Sequence, residues 1–484
     1  MKKFISLILA LLLLFCSCDI SDIEELDGEM SEENAAQPVD TSVFGVGIAK
    51  SESADPYTTK NKLNFELCGL ICEPLFFLSP TFEATPVLCE SYTYSEKTYV
   101  FTVKSGVTFS DGSKLTASDV EYSLRAAMEY GSFYATNLSV IESVSSSDRN
   151  STVTVRLRYD NCRLPSLLDI PIIKSGTRDK MLPTGTGLYA PKDDMTALVA
   201  RSNHHSGKKT KYSVISLVSV AGSDELLFEF DNHAVSLLTS DPTGASPLTP
   251  LGASQINNVP TTRMHYIGFN VRKKQLADKS VRAAISRAID RESAAKNDFA
   301  LMGVPSPLPI HPDAKSYPAG FAEAFAYDGT TRIELSSPLV LLVNSENPGK
   351  LAVCKRISEN LTRLGAPCTV HALPFNEYAA ALSRGDFDLY YAEVSLGADF
   401  DLSRILQGSL NYGGFYDAEL SSLYSAYLAK DEAGESFFRA FCERTPFAPI
   451  MFKSTAMYTP QGFFEKATPT AQNPYHDFCN WISN

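Results

Sequence analysis

The segment from Leu339 to Ala392 constrains the fold more tightly than any other part of this chain. Leu339 to Val343 is an apolar run of strand length. From Gly349 to Leu364, the residues Leu351, Val353, Ile357, Leu361 and Leu364 recur at helical spacing and so share one face. Gly365 follows, and a glycine just past a helix can take the left-handed conformation that closes it. Cys368 to Leu373 is then a second strand, Phe375 to Leu382 a short helix and Phe387 to Ala392 a third strand. This alternation predicts an α/β fold with parallel strands joined by right-handed crossovers. Such sheets bind ligands outside the carboxyl ends of their strands. The loop after Ala392, Glu393-Val-Ser-Leu-Gly-Ala-Asp-Phe-Asp401, is therefore where ligand groups are expected.

The N-terminus points outside the cytoplasm. Lys2 and Lys3 precede an apolar run from Phe4 to Phe15, which is short of the roughly 20 residues a spanning helix needs. A charged start, a short apolar core and small residues at a break describe a signal peptide, here residues 1–17. Phe15-Cys16-Ser17-Cys18 has the form of a bacterial lipobox, with Cys18 as the lipid acceptor, although Phe15 and Cys16 depart from the usual leucine and small residue. Two acyl chains, at about 0.8 kcal/mol per buried CH₂, suffice for stable anchoring. The stretch Asp19 to Asp40 then holds nine acids, no base and no aromatic residue, and it carries most of the net charge of −13. That composition cannot offset chain entropy by apolar burial, so residues 18–42 are expected to form a solvated tether. The rest is only mildly acidic and has no basic stripe for nucleic acid.

Roughly 440 residues remain, more than one core usually supports, so two lobes are expected. Eight cysteines lie beyond Cys18. Cys68 and Cys72 stand at i,i+4 without a zinc-site partner pair nearby, and are read as buried thiols acting as small apolar residues.

The sharpest local signal is a strand, a turn and a capped helix. Tyr99 to Val103 alternates in β-forming residues, Asp111-Gly112 marks a tight turn, and Thr116-Ala-Ser-Asp119 opens a helix through a capping box. The whole run Phe101-Thr-Val-Lys-Ser-Gly-Val-Thr-Phe-Ser-Asp-Gly-Ser-Lys-Leu-Thr-Ala-Ser-Asp-Val-Glu-Tyr-Ser-Leu124 closely resembles the signature of extracellular solute-binding proteins of the peptide/nickel ABC-transporter family. Further matches follow in family order at Cys72 to Phe76, Pro86 to Ser91, Pro183 to Tyr189, Phe269 to Arg272, Val281 to Arg291, Gly385 to Leu389 and Asn411 to Phe415.

The resemblance implies a two-lobed periplasmic-binding-protein-like fold of the large peptide-binding type (class II), with mixed sheets, flanking helices and a hinge. Lobe one is expected at 43–264 with 455–484 returning to it, and lobe two at 265–454. The crossings would fall near His265 to Asn270 and Phe452 to Thr455, where Gly268 supplies either hinge freedom or close packing. In peptide-binding members an aspartate at this position meets the ligand's α-ammonium, which implies that role for Asp399. Leu396 stands where the family often has tryptophan, and Leu396 and Gly397 are carried over as cleft positions. Glu393 is a second acid that could share or replace the role. Asp401 is read as a loop acid or helix cap. The implied function is an extracytoplasmic, lipid-anchored, monomeric receptor that captures peptides or similar polar solutes for an ABC permease and ATPase. Nickel chelates, sugars or a non-transport surface role are the alternatives. Neither a Gly-x-Ser-x-Gly elbow nor a His-Glu-x-x-His zinc motif is present, so no enzyme, cofactor or metal is expected. His204-His205, in a polar loop, is read as solvated, with metal binding as the alternative. Gly185-Thr186-Gly187 lacks the Lys-Ser/Thr of a phosphate loop and is read as a tight turn.

Overall fold

The computed structural model of the chain describes residues 40–483. The expected signal peptide, the expected lipid acceptor Cys18 and nearly all of the expected tether lie outside the described residues. Residues from Thr41 onward form one compact unit. No helix among the described residues is long and apolar enough to cross a membrane.

The first half contains β1 (Gly45–Ile48), α1 (Lys62–Ile71), β2 (Cys89–Ser95), β3 (Thr98–Val103), α2 (Ala117–Met128), β4 (Ile141–Ser147), β5 (Thr152–Leu157), β6 (Tyr189–Pro191), β7 (Ala197–Ala200) and β8 (Val214–Ser219). They build two four-stranded sheets, ordered β1-β8-β7-β6 and β2-β3-β5-β4. The capping box forms as predicted. Asp119 N donates to the Thr116 hydroxyl at 3.3 Å and Thr116 N to Asp119 Oδ2 at 3.0 Å, a cap worth about 1 kcal/mol. Val120, Leu124 and Ala127 of α2 are fully buried on its inner face. Cys68 and Cys72 are buried free thiols, and burial pushes the Cys68 pKa up to about 12. The Gly185 turn packs on the end of α1, where a Cβ at residue 185 would lie 2.1 Å from the Ile71 carbonyl oxygen. Gly187 N donates to that same oxygen at 2.9 Å, which satisfies a helix-terminal acceptor.

The second half is arranged on one seven-stranded sheet. Its elements are β9 (Leu238–Ser240), β10 (Ser254–Phe269), α3 (Lys279–Arg287), β11 (Gly303–Pro305), β12 (Leu339–Asn344), α4 (Pro348–Arg363), β13 (Cys368–Leu373), α5 (Phe375–Arg384), β14 (Leu389–Ser395), α6 (Ala418–Ala429), α7 (Gly434–Arg444) and β15 (Phe447–Pro460). β12 pairs in parallel with β13 and β14, as the β-α-β-α-β order requires. Beyond β14 the ladders turn antiparallel, with β14 on β10, β10 on β15, and β15 on β9 and β11. Leu341, Val343, Leu389 and Tyr391 pack into a core on one face of this sheet, and Leu342, Tyr390, Val394 and Phe447 into a core on the other. Burial on both faces is why these strands read as unbroken apolar runs. Val353, Cys354, Ile357 and Leu361 of α4 are all buried, and full burial of an aliphatic side chain stabilises by roughly 1.5–3 kcal/mol. Asn347 caps α4 through Lys350 N at 3.0 Å, and Gly365 closes it at φ +94°.

Two expectations change in detail. The third strand runs Leu389–Ser395 instead of Phe387 to Ala392, because its ladder with β10 continues to Arg263 opposite Ser395. Glu393 is consequently inside the strand and not at its exit. The crossings expected near His265 to Asn270 and Phe452 to Thr455 fall largely within the long strands β10 and β15. Gly268 is a packing glycine, since a Cβ there would lie 2.0 Å from Tyr390 Cζ. Gly268→Ala is expected to cost about 1–3 kcal/mol by overpacking, read as an earlier urea midpoint. An unchanged midpoint would mean that the Tyr390 ring yields without strain.

Candidate ligand site

β14 ends at Ser395, and the chain then turns sharply. Leu396 N donates to Thr262 O at 3.1 Å and Thr262 Oγ1 donates to Leu396 O at 2.7 Å. Both backbone polar atoms of Leu396 are thus held by β10, and its side chain is buried in the core. Gly397 O accepts from Phe400 N at 3.0 Å, and Phe400 takes a left-handed φ of +54°. This turn places Asp399 under the sheet, with only 2% of its surface exposed.

The partners of Asp399 come from far earlier in the chain. Asn161 Nδ2 donates to its Oδ2 at 2.7 Å, Asp401 N donates to Oδ1 at 3.3 Å, and Arg163 Nε donates to its backbone oxygen at 3.0 Å. Burial first, and the neighbouring Asp401 second, push the Asp399 carboxyl up to about 6, against the Asn161 hydrogen bond and the Arg163 charge. Among the described residues the carboxylate forms no ion pair. Asp401 is occupied structurally. It accepts from Tyr159 at 2.8 Å, Tyr424 at 2.6 Å and Ser403 N at 2.7 Å, and so ties down the short helix Ser403–Leu406.

Beside this turn lies a cavity of about 630 Å³, whose wall includes Phe82, Arg163, Ser166, Ala398, Phe400 and Tyr427. Pockets of this size suit small-molecule ligands. Arg163 stacks over Tyr427 at 4.1 Å and donates through Nη1 to Asp431 at 2.7 Å. Its second terminal nitrogen, Nη2, is buried without a hydrogen-bond partner. The cavity wall therefore offers a guanidinium with a spare donor, while Asp399 is buried between the lining residues Ala398 and Phe400 in the chain and does not itself line the cavity. Asn161 and Arg163 carried no sequence signal, because the segment Asp160-Asn-Cys-Arg163 has no pattern that connects it to a loop more than 230 residues later.

Glu393 is in a different environment. Lys350 Nζ lies 2.7 Å from its Oε2, Arg263 Nε 3.3 Å from its Oε1 and His265 Nε2 3.4 Å from its Oε2. Arg263 and buried Lys453 also share Asp241, at 3.1 and 2.8 Å. Burial works to raise the Glu393 pKa, but the surrounding bases outweigh it and bring the group down to about 2. Burial lowers His265 to about 3, so that imidazole is neutral at pH 7 and the charge on Glu393 is balanced by Lys350 and Arg263. The structure thus does not bring Glu393 and Asp399 into one acidic pair. His204 and His205, expected in a solvated loop, are instead buried against Glu73, with side chains 5% and 8% exposed.

Comparison with known proteins shows the family. The family profile described as bacterial extracellular solute-binding proteins, family 5 Middle, matches residues 83–413. The chain belongs to this family of solute-binding proteins. The glutathione-binding protein GsiB of Escherichia coli K12 is 24% identical over 291 residues, covering 54% of this chain and 55% of GsiB. The chain thus spans about half the length of the curated relatives it matches. The oligopeptide-binding protein AppA of Bacillus subtilis, solved with a nonapeptide, shares the fold with a TM-score of 0.55 at 17% identity, over 91% of this chain and 98% of AppA. NikZ of Campylobacter jejuni, solved with Ni(L-His), does so with a TM-score of 0.58 at 16% identity, over 92% of this chain and 100% of NikZ.

Because the folded pKa of Glu393 is depressed, its stabilisation is present above its ordinary value of 4.5 and is lost as pH falls toward about 2. Glu393→Gln is expected to lower stability by about 1–3 kcal/mol at pH 7, with the deficit shrinking as the pH of a thermal melt is taken down. Its effect on solute affinity is expected to be small, and abolished binding would move the ligand role to this acid.

Proposed function

We propose that this chain is the extracytoplasmic receptor of an ABC importer, and that it captures peptides or similar small solutes bearing an ammonium group. The observation that carries the reading is the burial of Asp399 without an ion pair, next to the cavity that Ala398 and Phe400 line. An ionised carboxylate in such a place is costly until a charge partner arrives, and a ligand α-ammonium is that partner. A hydrogen bond to a charged group contributes roughly 1.5–3 kcal/mol. The spare donor of Arg163 would take a ligand carbonyl or carboxylate. In this reading residues 43–264 with 455–484 form one lobe and 265–454 the other, so that Asn161 and Arg163 of the first contact Asp399 of the second directly. GsiB is named for glutathione, itself a tripeptide, and AppA holds a nonapeptide, which supports a peptide class. A monomer held by a lipid on Cys18 would deliver the solute to a separate permease and ATPase.

The test is thermal unfolding of the purified protein against di- to pentapeptides, glutathione, nickel–histidine and oligosaccharides. A ligand at 100 times its dissociation constant adds about 2.7 kcal/mol. The shift is expected with peptides and is expected to vanish on N-acetylation of the peptide or in Asp399→Asn. A shift only with nickel–histidine or sugars would overturn the substrate class. Undiminished peptide binding by Asp399→Asn would overturn the role of that residue.

The pH dependence has a definite sign. The folded pKa of Asp399 is raised from 3.8 to about 6, so its contribution to the stability of the free protein is full below 3.8 and is lost as pH rises through about 6. Pairing with an ammonium needs the ionised acid, so peptide affinity is expected to fall by about tenfold per pH unit below that value. Titration calorimetry between pH 4.5 and 8 reads this directly, and a flat profile would exclude Asp399 as the ammonium partner. For the anchor, metabolic labelling with a radioactive fatty acid is expected to mark the protein, and Cys18→Ser to abolish the label and release the chain from membranes.

A further inference from the structure

A second site lies among residues of the first half, and none of its members lines the cavity beside Asp399. We propose that Glu73, His204 and His205 form a binding site for one divalent transition-metal ion such as zinc or nickel.

The three side chains converge from two parts of the chain. Glu73 follows directly on the end of α1 and is held by Ile172 N, which donates to its backbone oxygen at 3.0 Å. The two histidines sit in the loop after Arg201. His204 Nε2 lies 3.3 Å from Glu73 Oε1, and His205 Nε2 lies 2.8 Å from Glu73 Oε2. One ligand atom from each residue can be chosen so that all three lie within 4.8 Å of one another. Ligands bonded to zinc at about 2.0–2.2 Å stand roughly 3–3.5 Å apart around a tetrahedron, so the carboxylate–imidazole spacings need little adjustment to accept an ion.

The second observation is an unmet polar demand. His204 Nε2 and His205 Nδ1 are both buried with no hydrogen-bond partner. Buried polar nitrogens are nearly always satisfied, and each of these rings also touches the Glu73 carboxylate. Ser206 N donates to His204 Nδ1 at 3.4 Å and Ser206 Oγ lies 2.8 Å from the same nitrogen, so Nε2 is the ring nitrogen left facing the cluster. Thr186 Oγ1 donates to Glu73 Oε2 at 2.9 Å and orients the carboxylate. Outer hydrogen bonds of this kind characterise built metal sites.

Two imidazoles and one carboxylate form a nitrogen and oxygen donor set suited to zinc, nickel or copper(II), and poorly suited to calcium or magnesium. Three protein ligands leave at least one position open. An adjoining cavity of about 460 Å³, which Glu73, His204 and His205 help to line, gives water or a small chelating solute access to it. The ion would also fasten the 201–207 loop to the end of α1.

The test is calorimetric titration of the chelator-stripped protein with zinc chloride and, separately, with nickel chloride. One ion per chain is expected to bind with micromolar affinity or better for at least one metal. His204→Gln and His205→Gln are each expected to weaken binding at least 30-fold, and Glu73→Gln at least tenfold. Asp399→Asn is expected to bind the metal as the wild type does, which separates this site from the solute site. Folding of each variant is checked by circular dichroism, and Glu73→Asp, which keeps the charge, serves where Glu73→Gln does not fold. Absence of binding by the wild type, or unchanged affinity in the His204→Gln/His205→Gln double variant, would overturn the proposal and leave an ordinary imidazole–carboxylate hydrogen bond.

Discussion

The ladder between β10 and β15 is the constraint on which the rest of the architecture depends. It runs from Ser254 opposite Pro460 to Gly268 opposite Phe447, with register shifts between Pro260 and Met264 and between His265 and Tyr266. Each strand has another neighbour along part of its length. β14 joins the far half of β10, while β9 and β11 join β15. A register is costly to slip where both faces are buried, because a one-residue shift would exchange every side chain between the two cores. The position of the β14 exit follows from this. Thr262 holds both backbone atoms of Leu396, and Arg263 bridges Asp241 and Glu393. The turn that carries Asp399 is set by a strand that begins about 140 residues before it.

Charge inside this protein is handled in two ways. Most buried charge is spent on structure. Arg282, from the Val281 to Arg291 motif, is buried and donates to the carbonyls of Leu276, Ala277, Arg444 and Thr445. Arg291 donates to Pro449, Phe325 and Ser286. These guanidiniums satisfy chain ends and loop carbonyls that would otherwise be buried without partners, which is a costly state. Glu393, likewise neutralised, belongs with them. Asp399 and the Glu73 cluster are the other kind. One is a buried carboxylate without an ion pair, and the other contains buried imidazole nitrogens without hydrogen bonds. Incomplete satisfaction is the feature on which both proposals rest.

The motifs that made the family recognisable are therefore mainly statements about packing. Asn270 bonds the carbonyls of Gly385 and Phe387, and Asn411 those of Leu406 and Phe415. Gly185 permits the close approach to α1, and Thr116 caps α2. Such residues identify a fold without naming its cargo. In the proposed reading the cargo is met by a smaller set of groups whose environment is assembled across long sequence separations.

Local physics was legible in the linear chain. The apolar periodicity of α4, the Thr116 cap, the Gly365 stop and the parallel trio of β12, β13 and β14 are each encoded within a few turns or one β-α-β unit, so pattern alone determined them. The same holds for the position of Asp399 just beyond a strand of that sheet. Tertiary structure alone decided what the candidate groups are worth. Glu393 and Asp399 are both acids near one strand end, yet Lys350 and Arg263 pair with the first, while the second takes a neutral hydrogen bond from Asn161 and forms no ion pair. His204-His205 lies in a polar stretch of sequence, yet the fold buries both rings on Glu73. Charge and solvation depend on which distant atoms arrive within about 4 Å, and burial strengthens those interactions far beyond their value in water. Periodicity carries no trace of that arrival, because it is settled only when segments more than a hundred residues apart pack together.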